Sequence, residues 1–229
     1  MTDIAKAIRI EGYYVLKNAV SLEDIQVARQ AIDGWRVQGN DGFCNSGGIS
    51  IPGFVAIPEL APVAALKDNV IVRAALAEVL TSDYRFCAHN DIGIGRTVGW
   101  HKDKLNGAYA KYQATNIWKP TANGDRHEIV KVLFYLQDQH DAATSLHVVP
   151  GSHTTPGIAE DGSVMVQLDV GDALIFDQRI THRGARQRSF DRILVAFGYG
   201  RNNRYTSEFE RGTVARQTVQ AKNIVRIKR

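Results

Sequence analysis

Beyond residue 84 the chain breaks into short apolar runs rich in β-branched and aromatic residues, separated by Gly, Pro, Asn or Asp. Punctuation of that kind confines this part of the chain to strands. The runs cover residues 84–94, 129–136, 146–149, 164–170, 173–176 and 192–199, with turn residues at Pro150-Gly151, Asp161-Gly162 and Gly171-Asp172. These residue types tolerate the tight backbone of a turn. The first third differs. A strand over residues 12–17 runs into Ser21, which can cap a helix that Asp24 answers from its third position. Leu22, Ile25, Ala28, Ile32 and Trp35 then recur at helical spacing until Gly39 and Gly42, and a second amphipathic helix near Asp68 aligns Val72, Leu76, Val79 and Leu80. The expectation is an all-β second half preceded by helices, in one domain over residues 1–229.

An apolar share of 44% and a charged share of 23% suit a soluble protein with a substantial core. The N-terminus lacks the apolar stretch of a signal peptide, and no run approaches the ~18 apolar residues of a membrane span, so a cytoplasmic address without membrane contact is expected. Cys44 and Cys87 lie far apart and form no CxxC pair, which points to free thiols. The net charge of +4 is scattered except at the basic end, residues 222–229. A solvated terminus accounts for that end. No platform of aromatic residues for stacking bases can be located, so the expected partner is a small-molecule substrate and not nucleic acid. The oligomeric state is not written in the sequence.

The chemistry concentrates at His101-Lys-Asp103. On an extended segment, residues two apart share one face, so an imidazole and a carboxylate can reach one ion. One more histidine would complete a 2-His-1-carboxylate triad, which binds iron(II) on one face and leaves the opposite positions open. His182 is the best candidate, because a turn and short strand, residues 171–176, can carry it back beside His101. Ten residues further on, Arg192 opens an apolar strand. Its planar, permanently charged fork suits the far carboxylate of a dicarboxylic cosubstrate. His127, His140, His147 and His153 have bland structural readings.

Taken in order, Gly99-Trp-His-Lys-Asp103, Val148-Val-Pro-Gly-Ser-His153, Gly171-Asp-Ala-Leu-Ile-Phe176 and His182-Arg-Gly184 resemble the phytanoyl-CoA dioxygenase-like branch of the iron(II)/2-oxoglutarate oxygenases. Residues 11–16 and 21–25 are similar to the family's opening strand and helix, so the likeness covers nearly the whole chain. The resemblance implies a double-stranded β-helix, a jelly roll of the cupin type, with N-terminal helices packed on it. It also implies that His101, Asp103 and His182 bind Fe(II), that Arg192 holds the C5 carboxylate of 2-oxoglutarate, and that O2 is the oxidant. Hydroxylation with release of succinate and CO2 is the default outcome.

The chain departs from the family at two places. Ala143-Thr144 stands where relatives often have Asn-Gly. Gly184 stands where some carry a serine for the cosubstrate, so another hydroxyl or water is needed there. The C1-carboxylate contact is open among Arg85, Cys87, His89 and Asp91, which share a face by alternation. Residues 104–128 lack periodicity, as a functional lid would. With Lys104, Lys111, Lys119 and Arg126 against Asp125 and Glu128, such a lid would favour an anionic substrate. Lys104, Trp118 and Lys119 are therefore the candidate substrate-binding residues. A different class, a non-catalytic metal- or sugar-binding module on the same fold, stays in view because fold does not determine function.

Overall fold

The computed structural model describes residues 2–227. Helix α1 (Asp3–Ile10) buries Ile4 and Ile8, and strand β1 (Tyr13–Leu16) follows it. Helix α2 (Leu22–Val37) starts at Ser21, whose hydroxyl accepts the Asp24 N–H at 3.1 Å and donates to the Asp24 carboxylate at 2.7 Å. Ile25, Ala28, Ile32 and Trp35 form its buried stripe. Leu22, expected on that stripe, is 65% exposed because the stripe only begins one turn into the helix.

Strands β2 (Phe43–Asn45) and β3 (Gly48–Pro52) and the short helix α3 (Ala61–Ala65) lead to α4 (Val70–Leu80), capped by Asn69. The remaining strands are β4 (Tyr84–Ile94), β5 (Ile129–Tyr135), β6 (His147–Val149), β7 (Val164–Met165), β8 (Ala173–Asp177), β9 (Thr181–Arg183) and β10 (Ile193–Arg201). The run expected over residues 164–170 is a strand only at β7; beyond it, Leu168 makes a single bridge to Gln139.

Seven strands form one antiparallel sheet in the order β1-β8-β5-β10-β4-β3-β2, and three form a second in the order β7-β6-β9. His101 bridges His182 and extends the second sheet by one short segment. Alternation along β5 explains how the layers join. Leu133 and Tyr135 face the second sheet in a core with Leu146, Val148, Leu174 and Phe176, while Val132 and Phe134 face the core under α2 and α4. Two facing antiparallel sheets backed by N-terminal helices make the double-stranded β-helix.

The C-terminal end is helical, and Lys222 on it is exposed. Helix α5 (Arg204–Ile227) takes in most of the basic end that read as a solvated terminus; residues 228 and 229 lie outside the described residues. Tyr205 and Phe209 of α5 pack with Leu105 and Ile117. Glu208 accepts the N–H and hydroxyl of Thr115, each at 2.8 Å, and the Tyr205 hydroxyl donates to the Lys119 carbonyl. Residues 104–128 are thus tied down against α5.

Candidate metal centre and cosubstrate cleft

His101 and His182 exchange backbone hydrogen bonds at 2.9 and 3.0 Å, and the Asp103 N–H donates to the Gln178 carbonyl at 2.9 Å. This pairing fixes the three side chains on one face. Lys102, between two of them, points the other way; its buried ammonium donates to the carbonyls of Ser152 at 2.6 Å and Arg179 at 2.8 Å. Ser152 in turn donates to the Val149 carbonyl and accepts the Thr181 N–H. The Pro-Gly-Ser-His turn therefore clamps the His101 segment to β9, the strand that carries His182. His153 meets the Arg9 carbonyl at 3.2 Å, a packing contact to α1.

His101 Nε2 lies 3.4 Å from one Asp103 oxygen and His182 Nε2 lies 3.9 Å from the other. The three ligand atoms all lie within 4.8 Å of one another. His101 Nδ1 meets the Gly99 carbonyl at 2.8 Å and His182 Nδ1 meets the Ile180 carbonyl at 3.0 Å. A carbonyl only accepts, so each Nδ1 carries a hydrogen and each Nε2 is turned toward Asp103. Anchoring the far nitrogen in this way orients a ligating imidazole. Burial, with His101 adding to it, draws the His182 pKa down to about 4 and keeps that ring neutral. Burial opposes charge on Asp103, yet Lys131 and His101 hold its carboxyl well below the usual carboxylate range. Two imidazole nitrogens and one carboxylate on a common face are a donor set that fits iron(II).

The three residues open into a cavity of about 190 Å³ between the sheets. Its wall on the large sheet is a ladder of facing positions: Gly93, Leu194 and Tyr135 on one rung, Asp91, Ala196 and Leu133 on the next, then Gly198 and Lys131. His89 stands beside Gly198, where a Cβ would come within 2.9 Å of the His89 Cβ, so the glycine makes room for the ring. At the Tyr135 end, Arg192 is 5% exposed; its guanidinium reaches the Tyr135 hydroxyl at 3.1 Å and lies 5.0 Å from the ring centroid. Burial raises the Tyr135 pKa, so the phenol stays a hydrogen-bond donor. At the other end, the Lys131 ammonium is 3.5 Å from Asp103.

Residues 60–193 match the sequence profile described as phytanoyl-CoA dioxygenase (PhyH). The chain belongs to that family. Members are non-haem iron, 2-oxoglutarate-dependent oxygenases, and so is this protein, with iron(II) as its metal and 2-oxoglutarate and O2 as cosubstrates. None of the curated protein sequences matches the chain. Among solved structures, the non-haem monooxygenase ThoJ in complex with nickel is similar over 98% of this chain and 99% of that one, at 15% identity and a TM-score of 0.67. HygX from Streptomyces hygroscopicus, with nickel and 2-oxoglutarate bound, covers 88% of this chain and 87% of its own at 19% identity and TM-score 0.65. SnoK, an α-ketoglutarate-dependent carbocyclase from nogalamycin biosynthesis, covers 87% and 83% at 16% identity and TM-score 0.66. At such identities these structures speak for the shared fold.

Other sequence candidates in the oxygenase fall in different places. His89 and Asp91 line the cavity, whereas Cys87 joins the core under α5 and Arg85 pairs with Glu210. Lys104, Trp118 and Lys119 do not line it, and neither does any other residue of the expected lid. Trp118 and Lys119 border a second cavity of about 470 Å³ beside α1 and α4, and Lys104 is exposed. Leu105 and Ile117, the buried apolar residues of that segment, anchor it to α5. Trp100 packs against the Arg183 guanidinium, 5.4 Å from its ring centroid.

Sequence reading missed Tyr135, Lys131, Arg96 and Arg216. For Tyr135 and Lys131 a signal existed: β5 alternates Lys131, Leu133, Tyr135. Tyr135 places a hydroxyl beside Arg192, where Gly184 has none to offer. Arg96 pairs with Asp91 at 2.8 Å, and Arg216 comes from α5, which had no apolar stripe to announce it.

Proposed function

We propose that this oxygenase, acting as one domain over residues 1–229, hydroxylates an unactivated C–H bond of a small, anionic metabolite. His101, Asp103 and His182 hold the iron, and Arg192 with Tyr135 holds the C5 carboxylate of 2-oxoglutarate. The observation that carries this reading is the cavity itself, with a complete donor set near one end and a buried, hydroxyl-backed guanidinium at the other. Iron(II), 2-oxoglutarate and O2 supply the oxidation: 2-oxoglutarate becomes succinate and CO2, one oxygen atom ends in succinate and the other in the product.

The protein supplies position and exclusion. Arg192 donates a charge-assisted pair of hydrogen bonds to the cosubstrate, and Tyr135 adds a neutral one. Leu133, Leu146, Phe176, Leu194 and Ala196 give the cosubstrate channel apolar walls that keep water away from the reacting carbons. The test begins with anaerobic titration of the protein with iron(II) and 2-oxoglutarate. Small acids are then screened for succinate release above the substrate-free rate, with the hydroxylated product identified by mass. Failure to bind both iron and 2-oxoglutarate would remove this reading.

A further inference from the structure

The charges lining the cavity do not cancel. Arg96, Lys131, Arg192 and Arg216 stand against Asp91 and Asp103, and iron(II) with dianionic 2-oxoglutarate adds no net charge. Arg96 is occupied by Asp91 at 2.8 Å, and Arg192 faces the cosubstrate end. Lys131 shares Asp103 with the metal site. Arg216 is left. Its Nη2 meets His89 Nδ1 at 3.2 Å, and burial keeps that imidazole neutral, so the contact supplies no countercharge. Its Nε is buried without a partner among the described residues. A half-buried guanidinium that lines the cavity with no acid of its own among the described residues is placed to receive an anion through charge-assisted hydrogen bonds.

The ladder tells which molecule brings that anion. Arg192 and Tyr135 stand at one end, and Lys131 stands four residues along β5, about 13 Å away at the usual rise per residue. His89, which holds Arg216, stands at the Lys131 end. Arg216 and Gln220, one helical turn apart, are presented there by α5. The cosubstrate's two carboxylates are accounted for by Arg192 and the metal, so the group at Arg216 belongs to the substrate.

We propose that the substrate carries a carboxylate or phosphate group received by Arg216, with Gln220 as a further hydrogen-bonding group and Lys131 as a second source of positive field. This rests on the oxygenase reading and adds to it the substrate's charged group and the residue that selects it.

The test uses the anaerobic complex of the full chain with iron(II) and 2-oxoglutarate. Its visible charge-transfer band reports an intact centre before any addition. Propionate and methyl phosphate are titrated in, with propionamide as the neutral control. Perturbation of the band by an anion and not by the amide is expected. R216Q should require about tenfold or more anion for the same response, the scale of a lost charge-assisted contact, and R216K should retain part of it. The anion with the stronger effect identifies the group as carboxylate or phosphate. No response to either anion, an equal response to propionamide, or an unchanged response in R216Q would overturn the proposal. Equal responses in the variant mean that the anion binds the metal directly. Absence of the band before any addition would instead count against the oxygenase reading.

Discussion

The Arg192 guanidinium and the Tyr135 hydroxyl meet at 3.1 Å at the buried end of the cavity, so the cation and the neutral donor address the same point. Removing each should have a different cost. Y135F deletes one neutral hydrogen bond and is expected to raise the Michaelis constant for 2-oxoglutarate several-fold; R192A should raise it by about tenfold or more. Iron affinity should stay near that of the unmodified protein in both. Steady-state succinate formation at varied 2-oxoglutarate gives the constants, and an unchanged constant in R192A would move the carboxylate site elsewhere.

H101A, D103A and H182A are each expected to abolish tight iron binding and turnover, because each leaves two protein donors where three face one point. Anaerobic metal titration followed by quantification of retained iron checks this. Full activity in any of the three would remove that residue from the ligand set.

Lys102 is a positioning residue. K102M deprives the Ser152 and Arg179 carbonyls of their shared donor and loosens the segment carrying two ligands. Iron affinity is expected to fall by about 10–100-fold, as when an outer contact of a metal ligand is lost. Once the site is saturated with iron, the Michaelis constant for 2-oxoglutarate should return near its original value. A purely structural role would lower stability and leave the iron affinity of the folded protein unchanged.

His127 gives a dependence on pH. Burial pushes its pKa down to about 3, against about 6.5 for an ordinary histidine. Between these values the unfolded chain takes up a proton that the folded chain refuses, so stability falls as pH drops from about 6.5 toward 3. The slope is about 1.4 kcal/mol per pH unit for each such group. His182, with its pKa near 4, adds to the trend in the metal-free protein. H127Q should lose less stability than the parent between pH 7 and pH 5 in urea unfolding. Equal losses would mean that His127 is not buried in its neutral form.

The strands and the metal donors were legible because their signals are local. Alternation on β5, turn residues after β6 and before β7 and β8, and the two-residue spacing of His101 and Asp103 each lie within a few positions of one another. Helix α5 was not legible. Several of its buried positions are Thr206, Glu208, Thr213 and Gln217, so its inner face shows no hydrophobic period. Many of its contacts are hydrogen bonds to residues far away in sequence, such as Gln217 Nε2 to the Asn90 carbonyl at 2.7 Å. The docking of residues 104–128 onto α5 was hidden for a related reason. The segment's positive charges were visible, while the few apolar residues that fasten it to α5 had no partner in sight. Arg216, Lys131 and Tyr135 share the cavity only once the sheet is assembled.

The donors for the metal ride on paired strands, whereas one wall of the cavity is a terminal helix laid over β4. The two can change at different rates. A strand residue that drifts disturbs register, core and iron together, but an exchange at Arg216 or Gln220, on the proposed substrate face, leaves the strand pairing of the metal donors untouched. Such an arrangement lets a single oxidation machine acquire new clients by editing one face of its last helix.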